Sequence, residues 1–389
     1  MHILHIINSY GGTTVYCNLL KHIDCLGIQQ TVFVPLNANN HNRIGNQMID
    51  FKVEGSKIIY STILKSYHRY LYRNKVKTIT NIVKKQVNVS NISLIHAATL
   101  CSDGAVAMEL SKQYKIPYIS SVRNTDINTY YKILIWQRRY FKNILLKASR
   151  IIFISPAYRK SFTEKVIDNN TVKKIVDKIL IIPNGVSEVF LENRKKNPNK
   201  LHRPVRILYA GAFQIGKNLD KLIVALVNLE KKGVQIKLTA VGRGLAYRRK
   251  DPEYIKNIEK LAAQHSWINL LDSVSQLELV KHFSNNDIFA MPSAPETFGL
   301  VYVEAMTQGL PIIYAKGQGF DGFFPEGEVG YSVDVDNTED IANKIELIIN
   351  SYDRLSANIA NLDLKEYFDW NMIAEKYKNT YFEVVNSMN

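Results

Sequence analysis

Cysteine is scarce in this chain. Three cysteines occur in 389 residues, Cys17, Cys25 and Cys101, odd in number and without metal-ligand spacing. That excludes a disulfide framework and a zinc module, and it predicts a reduced, cytoplasmic setting. Long apolar runs are missing too. A spanning helix needs about 18 consecutive apolar residues, so none is expected. The start, Met1-His2-Ile3-Leu4-His5-Ile6-Ile7, lacks the cationic flank of a signal peptide and reads as a first strand. Acidic residues are sparse in one half only. Residues 1–190 hold 26 Lys+Arg against 10 Asp+Glu, a balance of +16, whereas 191–389 hold 24 against 25, a balance of −1. The excess predicts an anionic partner for the first half: nucleic acid, an anionic membrane surface or a phosphorylated substrate.

Short β-rich runs alternate with amphipathic segments. In the first half the expected strands are His2–Ile7, Thr31–Val34, Leu94–His96, Tyr118–Ser121, Ile151–Ile154 and Ile179–Ile182, with helices such as Thr13–Leu26 and Gly104–Tyr114 between them. The polar, Pro-bounded stretch Asn197–Pro204 reads as a linker. The rhythm then restarts with Val205–Ala210, Ile236–Val241, Ile268–Leu270, Ile288–Met291 and Ile312–Tyr314. This predicts an α/β chain of two doubly wound parallel-sheet units in series. Ligands of such sheets collect beyond the carboxyl ends of the strands.

Several of those strand-end loops carry glycine. Gly11-Gly12 follows the first strand and opens a helix, where backbone amides attract an anion; a tight strand-to-helix turn explains the pair equally well. Gly211-Ala-Phe-Gln-Ile-Gly-Lys217 has the spacing of a phosphate loop, but Asn218 replaces the hydroxyl residue that would hold magnesium. Lys217 suits a diphosphate, or is a solvated surface lysine. Gly242-Arg243-Gly244 ends the next strand; its glycines permit close backbone approach, and Arg243 can fork onto phosphate oxygens or sit exposed beside Arg248-Arg249-Lys250. Asp334-Val-Asp336 looks like a metal-holding D-x-D, yet a solvated turn and helix cap explain it.

The densest constellation is "PSAPETFGLVYVEAMTQGLPIIYA", Pro292–Ala315. Glu296 lies in the loop after a strand, Phe298-Gly299-Leu300 opens a helix with free amides, and Glu304 lies about one turn in. Two acids flanking an anion-accepting helix start suit a polyhydroxyl ligand with phosphates in its middle. A helix N-terminal acid followed by a surface acid is the bland alternative.

"PETFGLVYVEAMTQGLPII" resembles the E-x7-E signature of family 4 glycosyltransferases, which have the GT-B fold, two Rossmann-like doubly wound domains facing across a cleft. "IIPNGVSEVF", "YAGAFQIGKNLDKLI", "VGRG" and "EYFDWNMIAEKYKNTYFEVV" resemble other parts of the family pattern, in the right order. The resemblance implies an N-terminal acceptor domain, 1–187 plus a crossover helix 372–389, and a donor domain, 188–371. It implies a retaining transfer from a nucleotide sugar, UDP-linked by expectation, with no cofactor and no metal. Glu296 would contact the donor sugar and Glu304 the ribose. The amides of Phe298, Gly299 and Leu300 would face the diphosphate or the sugar, and Lys217 would neutralise the leaving group. Gly11, Gly12 and Gly242 would approach the donor, and His96 and Asn184 would line the cleft or acceptor site.

Two departures stand out. Ala212 occupies the place of the usual phosphate-loop arginine, and Arg123 that of a common histidine. Arg123 or Arg243 is therefore expected to rebuild the leaving-group clamp, with Arg123 joining Glu296 and Lys217 as a catalytic candidate. Residues 57–86 and 130–150 mix aromatics with cations, as interfacial helices do, or form a core-packed helix with a wet basic face. The combined expectation is a cytoplasmic enzyme resting on the inner face of the cell membrane. It would extend a lipid-diphosphate-linked or glycan acceptor of a capsule, exopolysaccharide or O-antigen. A catalytically silent sugar-binding partner subunit, or a transferase acting on a soluble or protein acceptor, is the alternative. Nucleic acid ranks last, because no recognised binding module is present.

Overall fold

The structure, a computed structural model, describes residues 1–245 and 251–387. Arg248, Arg249 and Lys250 lie outside them. The chain divides into two compact units. The first takes Met1–Ile154, Arg159–Gly185 and Trp370–Asn389, the second Ser155–Tyr158 and Val186–Asp369.

The first unit holds seven strands: β1 (His2–Ile6), β2 (Gln29–Asn37), β3 (Lys57–Leu64), β4 (Leu94–Ala97), β5 (Tyr118–Val122), β6 (Arg150–Phe153) and β7 (Ile179–Ile181). All pair in parallel, in the order β3-β2-β1-β4-β5-β6-β7. The second unit holds six parallel strands: β8 (Val205–Ala210), β9 (Ile236–Arg243), β10 (Ile268–Asp272), β11 (Ile288–Ala290), β12 (Ile312–Ala315) and β13 (Gly330–Val333), in the order β10-β9-β8-β11-β12-β13. Each sheet reverses its winding beside its first strand, between β1 and β4 and between β8 and β11. That switch point is where an open parallel sheet leaves a crevice for a ligand.

Sequence reading missed β3 and β13, both edge strands. It also misread Asn197–Pro204. Asn199 is buried within the second unit, its backbone amide donating to Ser356 Oγ (2.6 Å) and its Nδ2 to the Gln308 carbonyl (2.9 Å). His202 Nδ1 lies 2.6 Å from Asp287. The segment is docked rather than free, and the chain changes unit at Gly185–Val186.

In the first unit the C-terminal helix Trp370–Asn386 packs on α1 (Thr14–Cys25) and on the sheet. Ile373, Tyr377 and Tyr381 join Ile3, Leu19 and Ile23 in one buried cluster. His5 and His96 face each other in register on β1 and β4, with ring centroids 5.2 Å apart. Both are buried, and His96 Nδ1 lies 2.8 Å from the Tyr381 hydroxyl. The expectation that His96 lines a ligand site is not met; its ring is enclosed by Tyr377, Tyr381 and His5.

Burial pushes His5 down to about 3 and His96 well below the ordinary imidazole range. Both stay neutral in the folded protein, whereas the unfolded chain takes protons below its usual value near 6.5. Stability is therefore complete above about pH 6.5 and falls as pH drops below it. Urea unfolding at pH 7.5 and pH 5 is expected to show a loss at the lower pH that shrinks in His96→Gln.

Candidate active site

The second unit's switch point is built from three loops. The loop after β8 carries Gly211, Ala212 and Lys217. The loop after β11 carries Glu296, and the helix Leu300–Thr307 follows it. The loop after β12 carries Gln318 and Gly319. Hydrogen bonds knit the three together. The Ala294 amide donates to the Gly216 carbonyl (2.8 Å), and Asn218 Nδ2 donates to the Pro292 carbonyl (2.6 Å). The Glu296 amide donates to Gln318 Oε1 (3.0 Å), and the Gly319 amide donates to the Glu296 carbonyl (3.0 Å). Glu296 is thus fixed through its backbone on two sides.

Its carboxylate meets Lys217. Lys217 Nζ donates to Glu296 Oε2 at 2.7 Å, and the Thr297 amide donates to Oε1 at 2.9 Å. Both side chains are partly buried, 23% exposed for Lys217 and 12% for Glu296. Two residues 79 positions apart are thereby joined at the second unit's switch point.

Gly299 precedes the helix with φ +82°, a left-handed backbone that a side chain resists. A Cβ there would lie 2.3 Å from the Tyr302 ring. No side chain caps this helix, so its first amides, Leu300 among them, are left for water or a ligand. The Phe298 side chain packs edge-on against Phe323 and Phe368, and its backbone lies against Gly319, where a Cβ would come within 2.6 Å of the Phe298 Cα.

Glu304 lies on the same helix. Among the described residues its carboxylate has no partner, and burial pushes it up to about 7. An acid so placed is stored without its hydrogen-bond donors, which a ligand's hydroxyl groups can supply.

The other candidates divide. Gly242, at φ +125°, lies against the neighbouring strand end; a Cβ there would come within 2.2 Å of the Gly211 carbonyl oxygen. Its absence of side chain lets the β8 and β9 loops close up. Arg243 already has partners within its own unit: its Nε donates to Asp272 at 2.7 Å and its Nη1 lies 3.5 Å from Glu259. Ala212 is buried, its carbonyl accepting from the Tyr209 hydroxyl (3.1 Å), and it brings no charge.

In the first unit Gly11 and Gly12 form a short turn after β1, ahead of the Thr13 cap of α1. Asn46 Nδ2 donates to the Gly11 carbonyl (2.9 Å), and the Arg43 side chain lies over Gly12. At the carboxyl end of β5, Arg123 Nη1 donates to Asn184 Oδ1 (3.3 Å), and the guanidinium lies 5.7 Å from the Tyr16 ring centre. Arg123 and Asn184 are therefore neighbours. Asp334-Val-Asp336 is the expected turn: the Asp336 amide donates to Asp334, Lys221 pairs with Asp336, and Asn337 caps the next helix.

Sequence reading missed Gln318, Gly319 and Tyr158. Tyr158 is a buried residue of the second unit whose hydroxyl is held up to about 12 by burial, with Thr297 and Glu296 beside it. The glycines of "KGQGFDGFF", Lys316–Phe324, follow β12 and mark a strand-end loop, the signal that would have found two of the three.

Two family models cover the chain in succession. Glycosyltransferase Family 4 matches residues 10–189, and Glycosyl transferases group 1 matches 190–362. The chain belongs to glycosyltransferase family 4. This glycosyltransferase is 25% identical over 342 residues to the alpha-monoglucosyldiacylglycerol synthase of Acholeplasma laidlawii, covering 82% of this chain and 80% of that protein. It is 28% identical over 213 residues to CapM, a capsular polysaccharide biosynthesis glycosyltransferase of Staphylococcus aureus. That match covers 52% of this chain and about half of CapM, 53%. Among solved structures, Anabaena Alr3699/HepE in complex with UDP aligns with a TM-score of 0.70 at 16% identity, over 98% of this chain and 99% of that one. At that identity the likeness concerns the fold, which is GT-B.

Proposed function

We propose that this glycosyltransferase moves a sugar, with retention and without a metal, from a UDP-linked donor to a lipid-diphosphate-linked acceptor during assembly of a surface polysaccharide. One observation carries the reading: Lys217 and Glu296 meet at the second unit's switch point, beside an uncapped helix start. The donor's diphosphate takes Lys217 and the first helix amides, its sugar hydroxyls donate to Glu296, and its ribose hydroxyls donate to Glu304. The bond from the anomeric carbon to the phosphate oxygen breaks as the acceptor oxygen bonds to that carbon. The departing diphosphate receives the acceptor's proton. Rate enhancement comes from positioning and from fixed positive charge around the leaving group.

UDP in the Anabaena relative supports the base, and the glycolipid and capsule relatives support an acceptor held at a membrane. The basic first half supports a working place on the inner leaflet. Among the described residues, no helix is long and apolar enough to cross a membrane.

A thermal-shift panel of UDP-, GDP- and ADP-sugars tests the donor, because a ligand that binds only the folded state raises its melting point. UDP-sugars are expected to give the largest shift and to be slowly hydrolysed by the purified chain. Binding without any hydrolysis would favour the silent partner reading that Ala212 motivates.

A further inference from the structure

One face of the first unit carries a feature that donor chemistry does not use. Tyr70, Leu71, Ile133, Ile135 and Trp136 are large apolar side chains, each between 55% and 77% exposed. They come from two stretches, the approach to α2 (Tyr72–Gln86) and the segment before the helix Arg138–Lys147. A ring cluster centred on the buried Tyr72 and Phe141 joins those stretches. Tyr72 lies 6.0 Å from Tyr130, 6.3 Å from Tyr140 and 5.5 Å from Phe141, centre to centre. The apolar residues thus form one tip on a rigid base. The long interfacial helix that sequence reading allowed here is broken instead: short turns at Tyr131–Ile133 and Ile135–Gln137 point Ile133, Ile135 and Trp136 outward, while Leu134 is buried.

Beside the tip runs a groove of about 360 Å³. Arg73, Lys77 and Lys84 line it from one face of α2, facing Glu109 and Gln113 of α3 (Asp103–Tyr114) and Tyr140. The spacings of four and seven residues put all three cations on one side of a helix. Glu109, the acid of the groove, accepts from the Tyr140 hydroxyl at 2.8 Å, and the Arg73 guanidinium sits 3.5 Å over the Tyr140 ring centre. Three cations therefore surround a space holding one carboxylate that is already engaged.

We infer that this face is a two-part lipid site: the tip enters the leaflet, and the groove takes the phosphate of an anionic phospholipid headgroup. The occupant follows from the pairing. A soluble anion would need the groove but not the tip, and an apolar protein partner would need the tip but not three cations beside it. Aromatic and aliphatic side chains next to cations match the boundary between acyl chains and headgroups. The site deepens the acceptor reading above, since a lipid-bound acceptor is reached only from the leaflet.

Co-sedimentation with phosphatidylcholine vesicles, with and without phosphatidylglycerol, tests it, with UDP titration of the same proteins alongside. The wild-type protein is expected to bind the anionic vesicles preferentially. Lys77→Glu with Lys84→Glu should weaken that binding on the order of thirtyfold or more and abolish the preference. Ile135→Ser with Trp136→Ser should remove the part of the binding that survives high salt. UDP affinity should stay at the wild-type level in both variants. Equal wild-type recovery with both vesicle types, or an undiminished preference in the Lys77/Lys84 variant, overturns the inference. Failure of the wild-type protein to bind UDP would sink the donor reading and leave the vesicle result standing.

Discussion

Lys217→Met is expected to lower donor turnover on the order of 10²–10³-fold, the usual cost of removing a fixed charge or donor from a developing anion. Lys217 holds a partly buried carboxylate at 2.7 Å in the unliganded protein, so the substitution has two effects. It removes the cation at the leaving group, and it leaves Glu296 without its partner. A double-mutant cycle separates them. If the ion pair were all that mattered, Lys217→Met with Glu296→Gln would recover most of the loss. If both residues serve the donor, the double variant stays as inactive as either single one. Steady-state donor hydrolysis is the readout, and undiminished hydrolysis in Lys217→Met would remove the lysine from the leaving-group role.

Glu304→Gln is expected to make the protein more stable at pH 8 and nearly unable to bind UDP. The folded acid titrates near 7, above its unfolded value of about 4.5, so its stability contribution is complete below the lower value and is lost as pH rises through the upper one. The ionised carboxylate is thus a liability of about 1–2 kcal/mol at pH 8, less than the full shift would give because the residue is partly exposed. Glutamine removes that liability. On the proposed donor pose it also removes the charged acceptor for the ribose hydroxyls, each such contact being worth about 1.5–3 kcal/mol. UDP affinity of the wild-type protein should rise by roughly tenfold per pH unit below 7 and level off above it. Calorimetric titration at pH 6 and pH 8 checks this. A wild-type affinity that does not change with pH would detach Glu304 from the nucleotide.

The switch-point loops were legible because they sit where the alternation of strands and helices says they must, and because their glycines and acids fall at fixed spacings. The Lys217–Glu296 contact was not legible as a contact. Nothing local couples two loops 79 residues apart; only the adjacency of β8 and β11 does so. The same limit explains His96. Its spacing fits a ligand-facing strand end, yet its partner is Tyr381, 285 residues away on the closing helix. The Arg243–Asp272 pair was not legible either, because Asp272 reaches Arg243 only where β9 pairs with β10. The edge strands β3 and β13 were missed for different reasons, weak burial in one and shortness in the other. Lys57–Leu64 is mostly half-exposed, and Gly330–Val333 is four residues that begin with glycine.

The 2.7 Å contact between ammonium and carboxylate at the switch point also bears on product discharge. At rest the two charges cancel, so a passing anion such as inorganic phosphate gains Lys217 only by stranding Glu296. A nucleotide that still carries its sugar supplies acceptors for one partner and hydroxyl donors for the other, and neither is abandoned. Once the sugar has left, the remaining diphosphate competes with a neighbouring carboxylate for the same lysine. On the proposed donor pose, re-forming that contact would help to expel the spent nucleotide and ready the site for its next cycle.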